Sequence, residues 1–217
     1  MAEPSVVVLS AVRTAIGKYG GSLSTIPPCD LAAHVVREAV SRAGVEPSDV
    51  GHAVFGNVIH TEVRDMYLGR VAALNGGLPV ETPAFTVNRL CGSGLQAIGS
   101  AAQAIQLGDA ETAVAGGAES MSRGQHWLRH ALGPADARRR HDRRYGWRAD
   151  RSLRRLPHGV TAETVAAEFG VSRADQDALA VESHRRAAAA AAAGYFAEQI
   201  MPVEVRTKEG HRGGHRG

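Results

Sequence analysis

The tightest constraint in this sequence is a cysteine wedged between an apolar run and a glycine-opened helix: Ala84-Phe85-Thr86-Val87-Asn88-Arg89-Leu90-Cys91-Gly92-Ser93-Gly94-Leu95. Ala84 to Val87 reads as a short buried strand. Leu95 to Leu107 reads as a buried helix rich in small residues, stopped by Gly108. Gly92 and Gly94 tolerate a sharp strand-to-helix turn and let another backbone or a ligand come close. Such a turn sets the Cys91 sulfur at a helix N-terminus, where free N–H groups and the macrodipole favour the thiolate. A thiolate so placed is a candidate nucleophile for acyl transfer. The competing reading is packing, because free cysteine commonly behaves as a small buried hydrophobe.

The surrounding chain supplies an alternating pattern. Val6 to Leu9 reads as a continuous buried strand, followed by the glycine-rich loop Gly17 to Gly21. Asp30 is placed to cap a helix with Leu31, Val35, Ala39 and Val40 inward, closed by Gly44. His34 on that helix reads as an ordinary surface or boundary residue. A second strand centres on Ala53-Val54-Phe55, and Asp65 opens a helix through Leu74. After the cysteine and its helix, Thr112 to Ala115 forms a fourth strand, with Gly116-Gly117 as a turn at its end. Four alternations of strand and helix with short loops predict an α/β layer on a largely parallel sheet. Groups at the carboxyl ends of such strands, Cys91 among them, are where function collects.

At 217 residues and 44% apolar composition, the chain is long enough for one or two globular domains. Nothing in it reads as a signal peptide or a membrane span. Its two cysteines, Cys29 and Cys91, form no short-spaced pair, so neither a disulfide scaffold nor a zinc ribbon is expected. No metal site is expected: His126 and His130 share a helical spacing but lack a cysteine or carboxylate to complete a set. No Walker A or G-x-G-x-x-G stretch supports a nucleotide-phosphate cradle. A reducing cytoplasm is the expected compartment.

Composition breaks abruptly after residue 124. From Arg123 to Arg155 eleven arginines stand against three aspartates, whereas the remainder has fourteen basic and nineteen acidic residues. The excess positive charge therefore belongs to this one segment. An arginine-rich nucleic-acid arm on an α/β domain is one reading. A frame-shifted insert is the favoured one. A degenerate spelling of Arg143 to His158, read one base along, yields a mixed apolar and acidic text ending in histidine. His211 to Arg216 treated likewise yields a strand-like Thr-Glu-Val-Val-Thr. Between the two, Thr161 to Phe169 reads as a short amphipathic helix. Ser172 caps a longer one from Arg173 to Ala193, ended by Gly194.

Asn88-Arg89-Leu90-Cys91-Gly92-Ser93-Gly94 resembles the acyl-cysteine motif of the thiolases, the acetyl-CoA C-acetyltransferase family. Ala11-Val12-Arg13-Thr14-Ala15-Ile16-Gly17 and Val114-Ala115-Gly116-Gly117-Ala118-Glu119-Ser120-Met121-Ser122 resemble two further family stretches, in the family's order and spacing. The resemblance implies a layered αβα N-terminal domain over residues 1–122. A partial, mostly helical loop domain follows over 123–217, with 125–159 and 211–217 out of frame. It implies Cys91 as the nucleophile that becomes an acyl thioester, with its backbone N–H as an oxyanion donor. His158 stands as the candidate substrate-binding histidine, although Pro157 and Gly159-Val160 depart from the family's surroundings for it.

The same resemblance implies coenzyme A thioesters as substrates: two acetyl-CoA condensed, or a 3-ketoacyl-CoA cleaved by coenzyme A. No tightly bound cofactor is implied, and a homo-oligomer is implied for a full-length chain. The family's Gly-His-Pro, Asn-Glu-Ala-Phe and Cys-x-Gly motifs are not in this sequence. It is therefore expected to stop about halfway through a family member, with an uncovered sheet edge and apolar face, poor solubility and impaired turnover. A non-catalytic partner of a full-length thiolase is the remaining alternative.

Overall fold

Three parallel strands carry the first unit: β1 (His52–Gly56), β2 (Ala84–Val87) and β3 (Ala113–Gly117), in the order β2-β1-β3. β1 is central, with Ala53 opposite both Ala84 and Val114, and Gly56 opposite both Val87 and Gly117. Its side chains alternate between two cores. Ala53 and Phe55 pack with Cys29, Ala32, Val36, Leu68 and Ala72 on one side. Val54 packs with Ala97 and Ala101 on the other. Strand order and chirality explain the two layers. The chain leaves β1 for β2 on one side, then crosses back over β1 to β3. Right-handed crossovers in opposite directions put the two connecting helices on opposite faces.

The structure is a computed structural model that describes residues 5–125 and 158–206, with the short segments 127–128, 141–142 and 212–215. The connecting helices are α2 (Leu68–Gly76) and α3 (Ser93–Leu107), and α1 (Pro28–Ala43) lies against α2. Gly69 lets α2 approach closely, since a Cβ there would sit 2.3 Å from the Phe85 carbonyl oxygen. Each fully buried residue such as Leu68, Val36 or Phe55 contributes about 1.5–3 kcal/mol of hydrophobic stabilisation.

Several local expectations change. Val6 to Leu9 forms no strand: among the described residues no strand pairs with it, so its side chains stand exposed. Asp30 does not cap α1. Pro28 presets the helical φ at the first position, so the helix starts after Pro27, and Asp30 falls within the first turn. There it pairs with Arg64. Gly44 closes the helix in the left-handed conformation, as the sequence implies. The turn before α2 begins earlier than expected, as a 3-10 helix over Val63–Tyr67, and Asp65 within it is completely buried. α3 is buried on one side only. Ala97 and Ala101 let it sit tight on the sheet, while Leu95 and Leu107 are 77% and 78% exposed.

The compact units divide as Met1–Gly124 with Gln199–Gly217, and Gln125–Glu198. In the first unit Met201 bonds back to Arg13, and Val203 packs on Leu23 and Leu31. Val203 opens β6 (Val203–Arg206), which pairs antiparallel with β7 (Arg212–His215) and not with the three-stranded sheet.

The second unit holds α4 (His158–Glu168), α5 (Arg173–Ala192) and the two-residue pair β4 (Trp127–Leu128) and β5 (His141–Asp142). Ser172 caps α5 in a reciprocal box with Asp175. Neither helix has a fully buried residue. The readings of 125–159 and 211–217 as out of frame, and the pair His126 and His130, fall almost wholly outside the described residues.

Candidate active site

The carboxyl ends of β1, β2 and β3 lie at one edge of the sheet, and three short segments leave from them: Asn57-Val58-Ile59, Asn88-Arg89-Leu90-Cys91 and Ala118-Glu119. Cys91 is exposed, in contrast to the buried Cys29. It precedes Gly92, the N-cap of α3, so the cysteine lies one residue ahead of that cap.

The turn that presents Cys91 is tight. Leu90 has φ 51°, the one positive φ at a non-glycine among the described residues. For a branched side chain this conformation costs on the order of 1–2 kcal/mol, so its surroundings must hold it. They do so through four contacts. Asn88 Oδ1 accepts from the Leu90 N–H at 3.0 Å. The Ser93 hydroxyl accepts from the Arg89 N–H at 2.8 Å and donates to the Leu90 carbonyl at 2.7 Å. The Ser93 N–H donates to the same carbonyl at 3.0 Å. Gly56 makes room for this arrangement: a Cβ there would lie 2.8 Å from the Ser93 Cβ.

The neighbouring segments brace the turn. Glu119 as a whole is exposed, yet its carboxylate accepts from Val58 N–H at 2.9 Å, Ile59 N–H at 3.0 Å and Asn57 Nδ2 at 3.2 Å. Partial desolvation raises its carboxyl above the ordinary range, against the pull of the two backbone amides. The Asn88 amide donates a long bond, 3.4 Å, to the Val58 carbonyl. The segment after β1 is thus tied on one side to β3 and on the other to the cysteine turn.

The expected residues fall as follows. Cys91 lies at the end of β2, where the spacing put it. His158 opens α4 in the second unit and is exposed. His34 is exposed on α1, and Gly116-Gly117 are not a turn but the last residues of β3. No described residue donates a hydrogen bond to the Cys91 sulfur. Among the described residues no group of three His, Cys, Asp or Glu is gathered as a metal would require. Sequence reasoning missed Asn57, Ser93 and Glu119 as parts of this corner. A polar residue directly after an apolar strand, as Asn57 and Asn88 both are, was the available signal.

The family described as Thiolase, N-terminal domain, matches residues 6–214. The chain is 56% identical over 218 aligned positions to the beta-ketothiolase BktB of Cupriavidus necator, covering 94% of this chain and 52% of that protein. It is 43% identical to an acetyl-CoA acetyltransferase of the same organism, with the same coverage. Among solved structures it is similar to human mitochondrial 3-ketoacyl-CoA thiolase in complex with CoA. That match has TM-score 0.87 and 36% identity, over 92% of this chain and 51% of that one. The acetyl-CoA acetyltransferase of Bacillus anthracis superposes with TM-score 0.86 at 36% identity, over 96% and 52%. The chain spans about half the length of the curated relatives it matches.

Proposed function

The chain belongs to the thiolase family, and we propose that it carries the acyl-accepting half of an acetyl-CoA C-acetyltransferase-like reaction, with Cys91 as nucleophile. The observation that carries this is the exposed Cys91 on a strained, strand-to-helix turn at the carboxyl edge of a parallel sheet. The Cys91 thiolate attacks the thioester carbonyl of an acyl-CoA. The carbon–sulfur bond to coenzyme A breaks, coenzyme A leaves, and the acyl group stays on Cys91. In condensation a second acetyl-CoA, its α-proton lost to a base, attacks that carbonyl through the α-carbon; the carbon–carbon bond forms, the carbon–sulfur bond to Cys91 breaks, and the departing thiolate takes up a proton. In the reverse direction coenzyme A takes the acyl group from the cysteine after cleavage of a 3-ketoacyl-CoA.

The Cys91 backbone N–H serves as an oxyanion donor in this reading, and His158 contacts the substrate. The substrates are coenzyme A thioesters, with no tightly bound cofactor. The wider assignment is a homo-oligomeric, cytoplasmic enzyme that binds no membrane. Among the described residues no helix is long and apolar enough to cross a membrane.

The test is acetylation of the purified chain by acetyl-CoA, read by intact mass and peptide mapping. One acetyl group on Cys91, with release of one coenzyme A, is the expected result. Equal labelling of a Cys91→Ser variant would overturn the assignment.

A further inference from the structure

We infer that Ser93 is the positioning residue for the nucleophile: its hydroxyl locks Leu90 in the left-handed conformation and thereby fixes where the Cys91 sulfur points. The inference rests on the acyl-transfer reading for its chemical consequence and on the turn alone for its geometry. Cys91 lies between the two residues involved. Leu90 supplies the peptide that enters the cysteine, and its φ of 51° sets the direction of that peptide. Left to its own preference a leucine returns to negative φ, which would rotate the following Cα–Cβ bond. One side chain opposes this from both sides of Leu90, accepting from the Arg89 N–H and donating to the Leu90 carbonyl.

The lock is itself held. Ser93 is 5% exposed, and both of its hydroxyl bonds are partly buried. Its backbone opens α3, and the missing side chain of Gly56 lets it seat against the tip of β1. A hydroxyl is the smallest group that both donates and accepts, and both capacities are used here. Alanine fills nearly the same space and does neither.

The experiment uses the full chain in four forms: wild type, Ser93→Ala, Leu90→Gly and the double variant. Acetylation of Cys91 by acetyl-CoA and its alkylation by iodoacetamide are timed by intact mass. Ser93→Ala is expected to slow acetylation about tenfold or more, because a misdirected nucleophile loses a large share of its rate. Alkylation of an exposed thiol by a small reagent has no such demand, and is expected within about twofold of wild type. Glycine at 90 has no aversion to positive φ, so the loss caused by Ser93→Ala shrinks to about twofold in the Leu90→Gly background.

Acetylation of Ser93→Ala at the wild-type rate would overturn the inference, as would an undiminished loss in the Leu90→Gly background. Should Ser93→Ala alone fail to fold, recovery of folding in the double variant supports the lock, and a double variant that is also unfolded refutes it. Should the wild type itself not acetylate, the acyl-transfer reading fails. The lock is then decided by the strong intraresidue amide-to-Hα NOE of left-handed backbone at Leu90. Its presence in the wild type and loss in Ser93→Ala supports the lock, and any other pattern overturns it.

Discussion

The Cys29 thiol donates a hydrogen bond to Asp65 Oδ1 at 3.3 Å, and neither residue has exposed surface. The chain therefore carries two thiols of opposite character, one sealed in the first turn of α1 and one displayed beyond the end of β2.

Burial first, then the bond to Asp65, pushes the Cys29 thiol up from 9.0 to about 12. At pH 8 iodoacetamide is expected to modify Cys91 and spare Cys29 until the chain is denatured, as peptide mapping will show. The same shift gives the alkaline stability a sign. Below pH 9 the thiol is protonated in both folded and unfolded chains. Between about 9 and about 12 only the unfolded chain releases the proton, so stability falls with pH, by up to about 4 kcal/mol. Urea titrations at stepped pH measure this limb, and Cys29→Ala is expected to flatten it.

Asp65 has further duties. Its other oxygen accepts from Thr61 N–H at 2.6 Å, Thr61 Oγ1 at 2.7 Å and Glu62 N–H at 3.1 Å. Asp65→Ala strands these donors in the interior and is expected to cost about 3 kcal/mol in chemical denaturation.

Gly56→Ala tests how closely α3 must approach the sheet. The new methyl would lie 2.8 Å from the Ser93 Cβ and carbonyl carbon, in a place backbone must vacate. A loss of about 1–3 kcal/mol is expected, together with slower Cys91 acetylation by acetyl-CoA. Unaltered stability would show that α3 has slack.

Glu119→Ala removes the acceptor for the Val58 and Ile59 amides. Hydrogen exchange at these two amides is expected to accelerate roughly tenfold, with little change in the middle of α1.

In the second unit Ser172→Ala removes the cap of a helix that has no fully buried residue to fall back on. About 1 kcal/mol of helix stability is expected to go, read as reduced helical signal at 222 nm and fraying from Arg173 onward.

Much of the first unit was legible because its signals are local. Ala84 to Val87 is an apolar run between breakers, and Gly44 and Gly108 end their helices in the left-handed conformation only glycine adopts readily. Cys91 was legible for the same reason, as the residue between a strand and two glycines. Val6 to Leu9 has the composition of a strand, but a strand exists only by pairing, and its own sequence cannot supply a partner. Glu119 illustrates the other limit. Its role comes from a segment 61 residues away, and nothing in Gly-Gly-Ala-Glu reports which amides its carboxylate will meet. Ser93 lay inside the motif yet read only as a small residue among glycines, since its two bonds depend on the φ of Leu90.

Every group that braces the cysteine corner, from Gly56 through Asn88 and Ser93 to Glu119, comes from one unbroken stretch of chain. During synthesis, when domains form progressively from the N-terminal side, the corner has all its supports once residue 119 has left the ribosome. The Cys91 thiol is thus framed before the helices of the second unit emerge.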